Sequence, residues 1–440
     1  MSVSKPGISV CWLRRDLRLH DNAALFHALQ SGFPVLPVFI FDDAILNQLD
    51  DKADKRVDLI YQMLENIQQK LQTSEASIRI FHGSVKQAFE SLTSEYDLKK
   101  VFCNRDYEPY ALQRDAEIRD FLNSKNIEFH SYKDQVIFEW NEVLKADGTP
   151  YTVFTPYSRV WKKQLSEIQI PVYPTEKYFA GFYKSDKKFQ FPKLEEIGFQ
   201  KTGVQFQEPK TEIHIIENYH LTRDTPSLET GTTGMSLHLR FGTVSVRELV
   251  KIARVSNETW LNELIWREFF MSILMHFPHV ANGAFKKQYN AIAWRNNEDE
   301  FLRWCNGTTG FPIVDAGMRQ LNETGLMHNR VRMITASFLV KDLLIDWRWG
   351  EAYFASKLLD YDLSANNGNW QWAAGCGCDA APYFRIFNPA EQTKRYDPEL
   401  KYIRRWVPEI NEFGYPAPIV DHSMARERTL KAFKEALNNI

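Results

Sequence analysis

Short apolar segments alternate with helical patterns through the first 132 residues, and this alternation restricts the fold more than any other feature. Five segments are mostly apolar, at 8–13, 34–41, 78–81, 100–103 and 127–132. Apolar residues recur at helical spacing between them, at 23–30, 54–71 and 109–125. Because strands that alternate with helices pair in parallel, the sequence predicts a five-stranded, parallel, doubly wound α/β domain. No G-x-G-x-x-G motif follows the first segment, so the usual dinucleotide fingerprint is absent.

The second half of the chain has a different periodicity. Apolar residues recur at helical spacing in 262–277, 313–321, 331–344, 352–359 and 424–437. The stretch before them has scattered prolines and no period, which is typical of a long connection. The sequence therefore predicts three parts, an α/β domain at 1–133, an interdomain linker at 134–215 and an all-α domain at 216–440.

Charge and cysteine content restrict the class of protein. The formal net charge over 440 residues is -2, so a nucleic-acid surface would have to be a local basic patch. Five cysteines without framework or metal-site spacing indicate a reducing compartment and predict no metal site. Charged residues interrupt the apolar start, and no apolar run approaches ~18 residues, so we expect a cytoplasmic protein without a signal peptide or membrane span.

The stretch from Asp360 to Trp372 carries the densest group of chemically active side chains. It holds carboxylates, adjacent amides and two indoles. Because Asn-Asn-Gly-Asn at 366–369 suits neither a helix nor a strand, we predict a helix end, a polar turn and a new segment. In a strand-like segment Trp370 and Trp372 would lean the same way, toward a flat polar ligand. A buried tryptophan pair beside an ordinary turn remains the alternative.

Two further groups could bind a nucleotide. Thr232 and Thr233 precede a helical pattern, where hydroxyls and free N–H groups suit a phosphate, although such residues are also ordinary helix caps. Glu263 shares a helix face with Trp266 and Arg267. That face could hydrogen-bond and stack a base, or it could be an ion pair over a core tryptophan.

Two polar stretches follow later in the chain. Asn329, Arg330 and Met333 lie within one helical turn and would form a polar rim beside an apolar floor, although methionine often only fills a core. Between Arg385 and Arg405, six basic residues stand against three acidic ones. Such a run is usually a solvated face, but beside aromatic clusters it is a candidate for phosphate contacts.

The order of these motifs closely resembles the cryptochrome/photolyase family. The resemblance rests on 360–372 followed by 379–389, and it extends to 12–18, 262–269, 310–318 and Trp347-Arg348. Within the family the chain looks most like a class I cyclobutane pyrimidine dimer photolyase. The resemblance implies FAD in the helical domain and an antenna role for the α/β domain. It also implies light-driven repair of UV-damaged DNA by a lyase that flips the dimer out of the helix.

The family holds FAD with residues that match a defined set of positions in this chain. They are Tyr219, Thr232, Thr233, Ser236, Trp260, Glu263, Arg267, Asn329, Arg332, Asp360, Asp362, Ala365 and Asn366. The resemblance also implies an ion pair between Arg332 and Asp360 beside the flavin, and it places the Asn366 amide at flavin N5. A neutral amide there supports reduced, anionic FADH⁻, whereas an acid would repel its charge.

The resemblance assigns the remaining roles as well. The family's electron-transfer chain matches Trp294, Trp347 and Trp370, with Trp304 as a competing nearby indole. Its catalytic residues match Glu263, Asn329, Asn366 and Met333. Its contacts to the dimer and to DNA phosphates match Arg223, Trp266, Arg330, Trp372 and Arg385. Glu108 is the best candidate for the antenna site, and the sequence does not choose between methenyltetrahydrofolate, 8-hydroxy-deazaflavin, FMN and an empty site.

Two rival interpretations remain open. A blue-light receptor of the same fold would share these motifs without repair activity, but plant-type receptors of the family carry an acid at the place of Asn366. A dark nucleotide-binding α/β protein with a helical extension would leave the order of the tryptophans unexplained. Repair of 6-4 lesions is disfavoured, because relatives with that activity carry histidines where this chain has Asn329 and Met333. We expect a monomer that binds UV-damaged DNA.

Overall fold

The computed structural model describes residues 5–184 and 189–438. The chain forms two compact units, and each is assembled from separate stretches of sequence. The first unit comprises the described residues within Met1–Glu139, Glu167–Lys210 and Met235–Ile252, and the second those within Trp140–Ser166, Thr211–Gly234 and Ala253–Ile440. The linear three-part division of the chain stays a prediction from the sequence.

The first unit is built on a parallel sheet. Its strands are β1 (Gly7–Leu13), β2 (Val35–Asp42), β3 (Arg79–Gly83), β4 (Asp97–Asn104) and β5 (Glu128–Tyr132). The strands lie in the order β3-β2-β1-β4-β5, and every neighbouring pair is parallel. Because β1 and β2 are buried along almost their whole length, their sequences are nearly continuous apolar runs. The predicted five-stranded α/β fold is confirmed.

Helices connect the strands, and polar side chains fix where they begin. The carboxamide of Asn22 accepts the N–H of Leu25, and the carboxylate of Asp54 accepts that of Arg56, so both act as N-caps. Helix Val85–Glu95, which joins β3 to β4, is absent from the sequence prediction. The α-helices of this unit are Ala23–Leu29, Asp43–Leu46, Lys55–Gln72, Val85–Glu95, Pro109–Asn123, Met235–Phe241 and, crossing the boundary at 252, Val246–Ser256, with 3-10 helices at Thr175–Gly181 and Leu194–Ile197.

A buried carboxylate ties distant parts of the first unit together. Asp134 accepts hydrogen bonds from two buried guanidinium groups, those of Arg18 at 2.7 Å and Arg247 at 2.8 Å. Arg247 also reaches Asp21 at 2.9 Å. Burial opposes ionisation of Asp134, but the two arginines lower its pKa. Because removing one partner of a buried ion pair costs roughly 3–5 kcal/mol, this cluster fixes the segments that carry it.

The second unit is all-α, as predicted. Its core contains Trp304, Trp347, Trp370, Phe354 and Phe433 among aliphatic side chains. Its α-helices are Phe154–Glu167, Ile213–Thr222, Glu258–His276, Glu298–Cys305, Pro312–Thr324, Asn329–Ser337, Trp347–Lys357, Leu363–Ala374, Pro389–Tyr396, Lys401–Trp406 and His422–Asn438, with 3-10 helices at Glu229–Gly231, Pro278–Ala281 and Lys287–Ala291. Among the described residues, no helix is both long enough and apolar enough to cross a membrane.

Helix Asn329–Ser337 runs directly into a buried π-helical turn, Phe338–Asp342, where the sequence predicted one helix over 331–344. The ammonium group of Lys341 in this turn donates to the carbonyl oxygen of Ala374 at 3.0 Å and lies 3.8 Å from the ring centroid of Phe433. Burial lowers the pKa of Lys341 to about 7. The core of the second unit therefore contains a lysine that titrates near neutral pH.

Replacing Lys341 with methionine should make stability less dependent on pH. The pKa of the lysine is about 7 in the fold against 10.5 as its ordinary value. Between these values the unfolded chain binds more protons, so the wild-type free energy of unfolding rises with pH. Lys341→Met should therefore raise the free energy of unfolding most at pH 7 and below, with a smaller gain at pH 9. Urea unfolding at both pH values measures the difference.

The exposed lysine of the last helix provides the control. Lys431 has a side chain that is 78% exposed, so Lys431→Met should leave the free energy of unfolding almost unchanged at both pH values. An equal gain for Lys341→Met at pH 7 and pH 9 would contradict the buried titration.

Candidate functional site

An open pocket lies in the second unit between helices Asn329–Ser337 and Leu363–Ala374. It holds about 620 Å³ of empty space when the open solvent at its mouth is included. Nine residues singled out from the sequence line it, namely Asn329, Arg332, Met333, Asp360, Asp362, Ala365, Asn366, Trp370 and Trp372. The fold thus brings together polar groups and indoles that are up to 43 positions apart (372 minus 329).

The predicted polar turn at 366–369 is wrong, because residues Leu363–Ala374 form one α-helix. Asp362 caps this helix by accepting the N–H of Ala365 at 3.2 Å. Gly368 lies against Phe270, and a Cβ atom there would come within 2.2 Å of that ring. Tertiary packing therefore overrides the weak helix propensity of Asn-Asn-Gly-Asn.

The helical conformation also corrects the expected orientation of the two indoles. Residues two apart on a helix diverge, so Trp370 and Trp372 do not lean the same way. Trp370 is 2% exposed, whereas Trp372 is half-buried. Both still contribute to the pocket wall, and the two side chains can serve different purposes there.

An arginine and a carboxylate face each other at the rim of the pocket. The guanidinium group of Arg332 lies 2.8 Å from a carboxylate oxygen of Asp360, so the expected ion pair is present. Arg332 also donates through Nε to the carbonyl oxygen of Met327 at 2.8 Å. These bonds hold Arg332 across the start of its own helix and leave a fixed charge pair beside the pocket.

Asn366 is held by the neighbouring helix Trp347–Lys357. Its amide nitrogen donates to the backbone carbonyl oxygen of Glu351 at 3.1 Å. Burial raises the pKa of the Glu351 carboxyl group, against hydrogen bonds from Asn366 and Asn367. The amide at the pocket wall therefore has a defined orientation, and the carboxyl group of Glu351 favours its neutral form more than usual.

A second cluster surrounds Glu263 on helix Glu258–His276. The carboxylate of Glu263 is 2.6 Å from the guanidinium group of Arg223, and the carbon of that guanidinium lies 5.3 Å from the ring centroid of Tyr219. Burial raises the pKa of Glu263 above its usual value, and the guanidinium group of Arg223 offsets only part of this rise. The arginine therefore opposes the effect of burial and favours the ionised form.

Trp266, on the same helix, stacks face to face on Phe154. Their ring centroids are 3.6 Å apart and the rings are within 4° of parallel. The backbone N–H of Phe154 donates to the carboxylate of Asp379 at 3.0 Å, which anchors the start of helix Phe154–Glu167. Phe270 also packs against Trp266, at 5.5 Å. The indole is thus fixed by aromatic neighbours.

The three tryptophans of the expected electron-transfer chain all lie in the second unit. Trp370 lines the pocket. Trp347 is buried at the start of helix Trp347–Lys357, one turn before Gly350, which packs directly against the Trp370 ring. Trp294 is half-buried, and its ring contacts Phe433 at 5.9 Å.

The remaining predicted residues are outside the lining of this pocket. Trp260 is buried, and Arg267 is half-buried on the same helix. Arg330 pairs with Asp224 at 2.7 Å, and Arg385 is exposed, 6.0 Å from the ring centroid of Phe387.

Thr232 and Thr233 precede helix Met235–Phe241, and Ser236 lies in its first turn. Both threonines are half-buried in the second unit, whereas Ser236 is exposed on helix Met235–Phe241 of the first unit. Gly234 has a left-handed φ of +65° just before this helix, a conformation that glycine adopts readily. Their expected phosphate contacts stay predictions.

Glu108 lies in the first unit. Its carboxylate is 2.7 Å from Arg15 and 3.0 Å from Arg240. The antenna role of Glu108 stays a prediction. Within residues 5–184 and 189–438, no group of three or more metal-ligating side chains could hold a metal ion.

Comparison with known proteins identifies the family. Residues 260–414 match the FAD binding domain of DNA photolyase, and residues 9–176 match the DNA photolyase domain. A deoxyribodipyrimidine photo-lyase of Vibrio cholerae is 37% identical over 97% of this chain and 99% of its own length. The chain belongs to the cryptochrome/photolyase family. The deoxyribodipyrimidine photo-lyase of Escherichia coli is 35% identical over 97% of this chain and 98% of its own.

Solved structures of this family have the same fold. A class III photolyase from Agrobacterium tumefaciens has a TM-score of 0.87 at 32% identity and covers 99% of this chain and 98% of its own. A Sulfolobus tokodaii photolyase with two FAD molecules has a TM-score of 0.84 at 32% identity, with 97% and 99% covered. A Synechocystis cryptochrome reaches 0.83 at 25% identity, with 98% and 100% covered. The class I assignment within the family stays a prediction.

The pocket fits the FAD after which the family's domain is named. Its rim offers an amide, carboxylates and an arginine, and its wall offers indoles. Outside the pocket lining, two buried polar atoms have no hydrogen-bond partner among the described residues, namely Oδ1 of Asn262 on helix Glu258–His276 and Nε2 of His328 just before helix Asn329–Ser337. Buried polar atoms are nearly always hydrogen-bonded, so these two are available to a ligand or to water.

Three supporting residues in this photolyase-like site are missing from the sequence prediction. Phe154 lies under Trp266, Glu351 holds the Asn366 amide through its backbone carbonyl, and Asp379 anchors Phe154. Each acts through a contact between distant parts of the chain. Of the three, only Asp379 belongs to a motif on which the family resemblance rests. That motif does not indicate that Asp379 accepts the N–H of Phe154.

Replacing Asn366 with aspartate should destabilise reduced FAD. A carboxylate beside an anionic flavin repels it, so the ratio of reduced to oxidised FAD at a fixed reductant concentration should fall about tenfold or more. The flavin absorbance spectrum under graded dithionite measures this ratio. Asn411→Asp, which adds the same charge at an exposed position outside the pocket lining, should have a much smaller effect, and equal shifts for both variants would contradict the placement of Asn366.

Proposed function

We propose that the protein repairs cyclobutane pyrimidine dimers in DNA by light-driven electron transfer, which is the reaction of a deoxyribodipyrimidine photo-lyase. The observation that carries the proposal is the composition of the pocket. Polar residues that match the family's FAD contacts line it together with Met333 and two indoles. The 37% identity to the Vibrio cholerae photo-lyase over nearly the whole chain supports it. When bound, FAD supplies the light-absorbing electron donor.

The residues of the rim would hold and orient FAD. Asn366 has a fixed amide that adds no negative charge, so it is compatible with a reduced flavin. The Arg332–Asp360 ion pair presents donors and acceptors in a defined geometry. The other FAD contacts predicted from the sequence, of which Tyr219 is the first and Ala365 the last, are proposed because these residues match the family's FAD-binding positions.

The flipped dimer would be held by stacking and by hydrogen bonds. Stacking of a base on an aromatic side chain contributes about 1–3 kcal/mol, and Trp266 and Trp372 are the proposed platforms. Glu263 and Asn329 would bind the polar edges of the dimer, while Met333 would cover it from an apolar side. The pair with Arg223 favours ionised Glu263 as a hydrogen-bond acceptor.

Arginines would position the DNA backbone. Arg385 is exposed and could contact a phosphate directly. Arg330 forms an ion pair with Asp224, and this carboxylate would compete with a phosphate for the guanidinium group. Because each phosphate contact releases counterions, DNA affinity should fall as salt rises. The monomeric state and the cytoplasmic location stay predictions from the sequence.

Electrons would reach FAD through Trp370, Trp347 and Trp294. Trp370 lies in the pocket wall, and the glycine one turn after Trp347 touches its ring. Trp294, half-buried, would exchange electrons with reductants in solution. Indole side chains suit this role because they can be oxidised transiently while they remain packed in the core.

A second chromophore has a candidate cavity in the first unit. An open cavity lies where β2 and β3 end, with about 720 Å³ of empty space when open solvent is included, and Asp42, Lys86, Tyr110 and Arg114 are among its lining residues. Parallel sheets bind ligands at the carboxyl ends of their strands. We therefore propose this cavity as a place for an antenna, methenyltetrahydrofolate or 8-hydroxy-deazaflavin, although Glu108 is not among its lining residues.

The repair activity can be tested directly with damaged DNA. Illumination of the reduced protein with UV-damaged oligo(dT) should restore the thymine absorbance, because opening of the cyclobutane ring regenerates both bases. No recovery should occur in darkness. Absence of recovery in light from protein that carries FAD would overturn the proposal in favour of a blue-light receptor.

The platform formed by Trp266 and Phe154 gives a test of substrate binding. Trp266→Ala should weaken binding to dimer-bearing DNA about tenfold, with a smaller loss for intact DNA. Phe154→Ala should reproduce part of this effect, because it removes the ring that orients the indole. Trp140→Ala is the control, since this tryptophan is exposed and packs on His276. Equal losses for damaged and intact DNA would mean that Trp266 has only a structural role.

A further inference from the structure

The sulfur atom of Met333 contacts two polar side chains to which the proposed function gives a role in DNA binding. It accepts a hydrogen bond from Nδ2 of Asn329 at 4.0 Å and another from Nη1 of Arg330 at 3.7 Å. All three residues lie within the first turn and a half of helix Asn329–Ser337, where side chains three and four positions apart are neighbours. Because a thioether is a weak acceptor, it holds both donors loosely and can release them to a ligand.

Other contacts fix the guanidinium group of Arg330 with its Nη1 atom toward this sulfur. Its Nε and Nη2 atoms donate to the carboxylate of Asp224 at 3.1 Å and 2.7 Å. The carbon of the guanidinium lies 4.2 Å from the ring centroid of Tyr396. A stronger acceptor at position 333 would therefore find a donor already in place, so little reorganisation would be needed to form a stronger hydrogen bond.

Solvent reaches Met333 through the pocket. The side chain is half-buried and belongs to the lining of the open cleft. Among the other methionines that the structure describes, Met424 is 73% exposed and Met275 is half-buried. The rest are buried, namely Met63, Met235, Met271, Met318 and Met327. A small oxidant dissolved in water therefore has access to three methionine sulfurs of the described chain, and one of them lies in the proposed substrate site.

We propose that Met333 is a modification site at which hydrogen peroxide switches off the binding of damaged DNA. The peroxide O–O bond breaks, one oxygen atom bonds to the thioether sulfur, and water leaves, so the sulfur is oxidised to a sulfoxide while the peroxide is reduced. Two thiols, acting through a methionine sulfoxide reductase, reverse the step and yield the thioether, a disulfide and water. The proposal rests on the proposed function, since it takes the flipped dimer as the ligand of this part of the pocket.

The sulfoxide changes the site in two ways. Its oxygen is a strong acceptor, and it would engage the donors of Asn329 and Arg330 that already contact the sulfur, so both are withdrawn from the dimer and from phosphate. Oxidation also turns the apolar cover proposed for the dimer into a polar group. The ion pair between Arg332 and Asp360 is a separate contact, so we expect FAD to stay bound while affinity for the dimer falls.

Peroxide treatment of the FAD-bound protein tests the site. The substitutions Met275→Leu and Met424→Leu first remove the other two accessible sulfurs. All five cysteines are free, and dithiothreitol after the treatment returns any disulfide or sulfenic acid to the thiol but leaves a sulfoxide. Affinity for dimer-bearing oligo(dT) should then fall about tenfold, the loss expected when hydrogen bonds to a ligand are forfeited. FAD content should stay constant, and peptide mass spectrometry should find one added oxygen at Met333.

Occupancy of the pocket should protect the sulfur. Dimer-bearing oligo(dT) should slow the oxidation of Met333 in the wild-type protein, and intact oligo(dT) should slow it much less. Met424 is the internal reference, because it is exposed and lies outside the pocket lining, so its rate of oxidation should be the same with either DNA. Timed peptide mass spectrometry gives both rates from one sample. A methionine with only a structural role would show no difference between damaged and intact DNA.

Two variants separate the effect of the sulfoxide from general damage by peroxide. Met333→Leu has an apolar side chain without sulfur, and its affinity for damaged DNA should be the same before and after treatment. Met333→Gln places an amide oxygen near the two donors, so without peroxide it should bind damaged DNA more weakly than Met333→Leu does. FAD content after purification reports whether each variant is folded. The treatment of the protein that retains Met333 needs neither variant and tests the proposal by itself.

Failure of this proposal can be told apart from failure of the proposed function. If the sulfoxide forms at Met333 and affinity for the dimer is unchanged, the switch is wrong, while light-driven repair by untreated protein stands. The switch is also wrong if Met424 is oxidised under conditions in which Met333 remains a thioether. If untreated protein with reduced FAD neither binds nor repairs dimers, the proposed function fails, and the switch fails with it.

Discussion

Close contacts at two glycines hold helix Leu363–Ala374 in place. A side chain at Gly350 would come within 2.1 Å of the Trp370 ring, and one at Gly368 would come within 2.2 Å of Phe270. The helix that carries the proposed flavin amide is therefore clamped between its two neighbours. The width of the pocket and the contact between the core indoles both depend on this spacing, because packed interiors tolerate little change in volume.

Local patterns were sufficient to predict the sheet and the all-α unit. Continuous apolar runs mark β1 and β2 because these strands are buried on both faces. The same reasoning failed at 366–369. The low helix propensity of asparagine and glycine predicted a turn there, but the packing of Gly368 against Phe270 favours a helix. Residue type and spacing already marked the stretch 360–372 and the turn from Asn329 to Met333 as candidates, and the family resemblance then gave roles to the nine residues that meet in the pocket.

The supporting contacts could not be predicted because they join distant parts of the chain. Phe154 and Trp266 are 112 positions apart (266 minus 154) and stack at 3.6 Å. Trp304 lies outside the helical patterns predicted from the sequence, and its contact with Tyr353 depends on how helices Glu298–Cys305 and Trp347–Lys357 pack. A sequence identifies side chains capable of chemistry more readily than the neighbours that orient them.

In the ion pair between Arg223 and Glu263, the guanidinium group is an internal competitor for any ligand that binds the carboxylate. Any incoming group that needs the carboxylate must displace or share a guanidinium already 2.6 Å away, so part of its binding energy is spent on that exchange. The same arginine can reclaim the carboxylate when the ligand leaves. Arg223 therefore influences affinity through the free protein as well as through the complex, since affinity reflects the difference between the two arrangements.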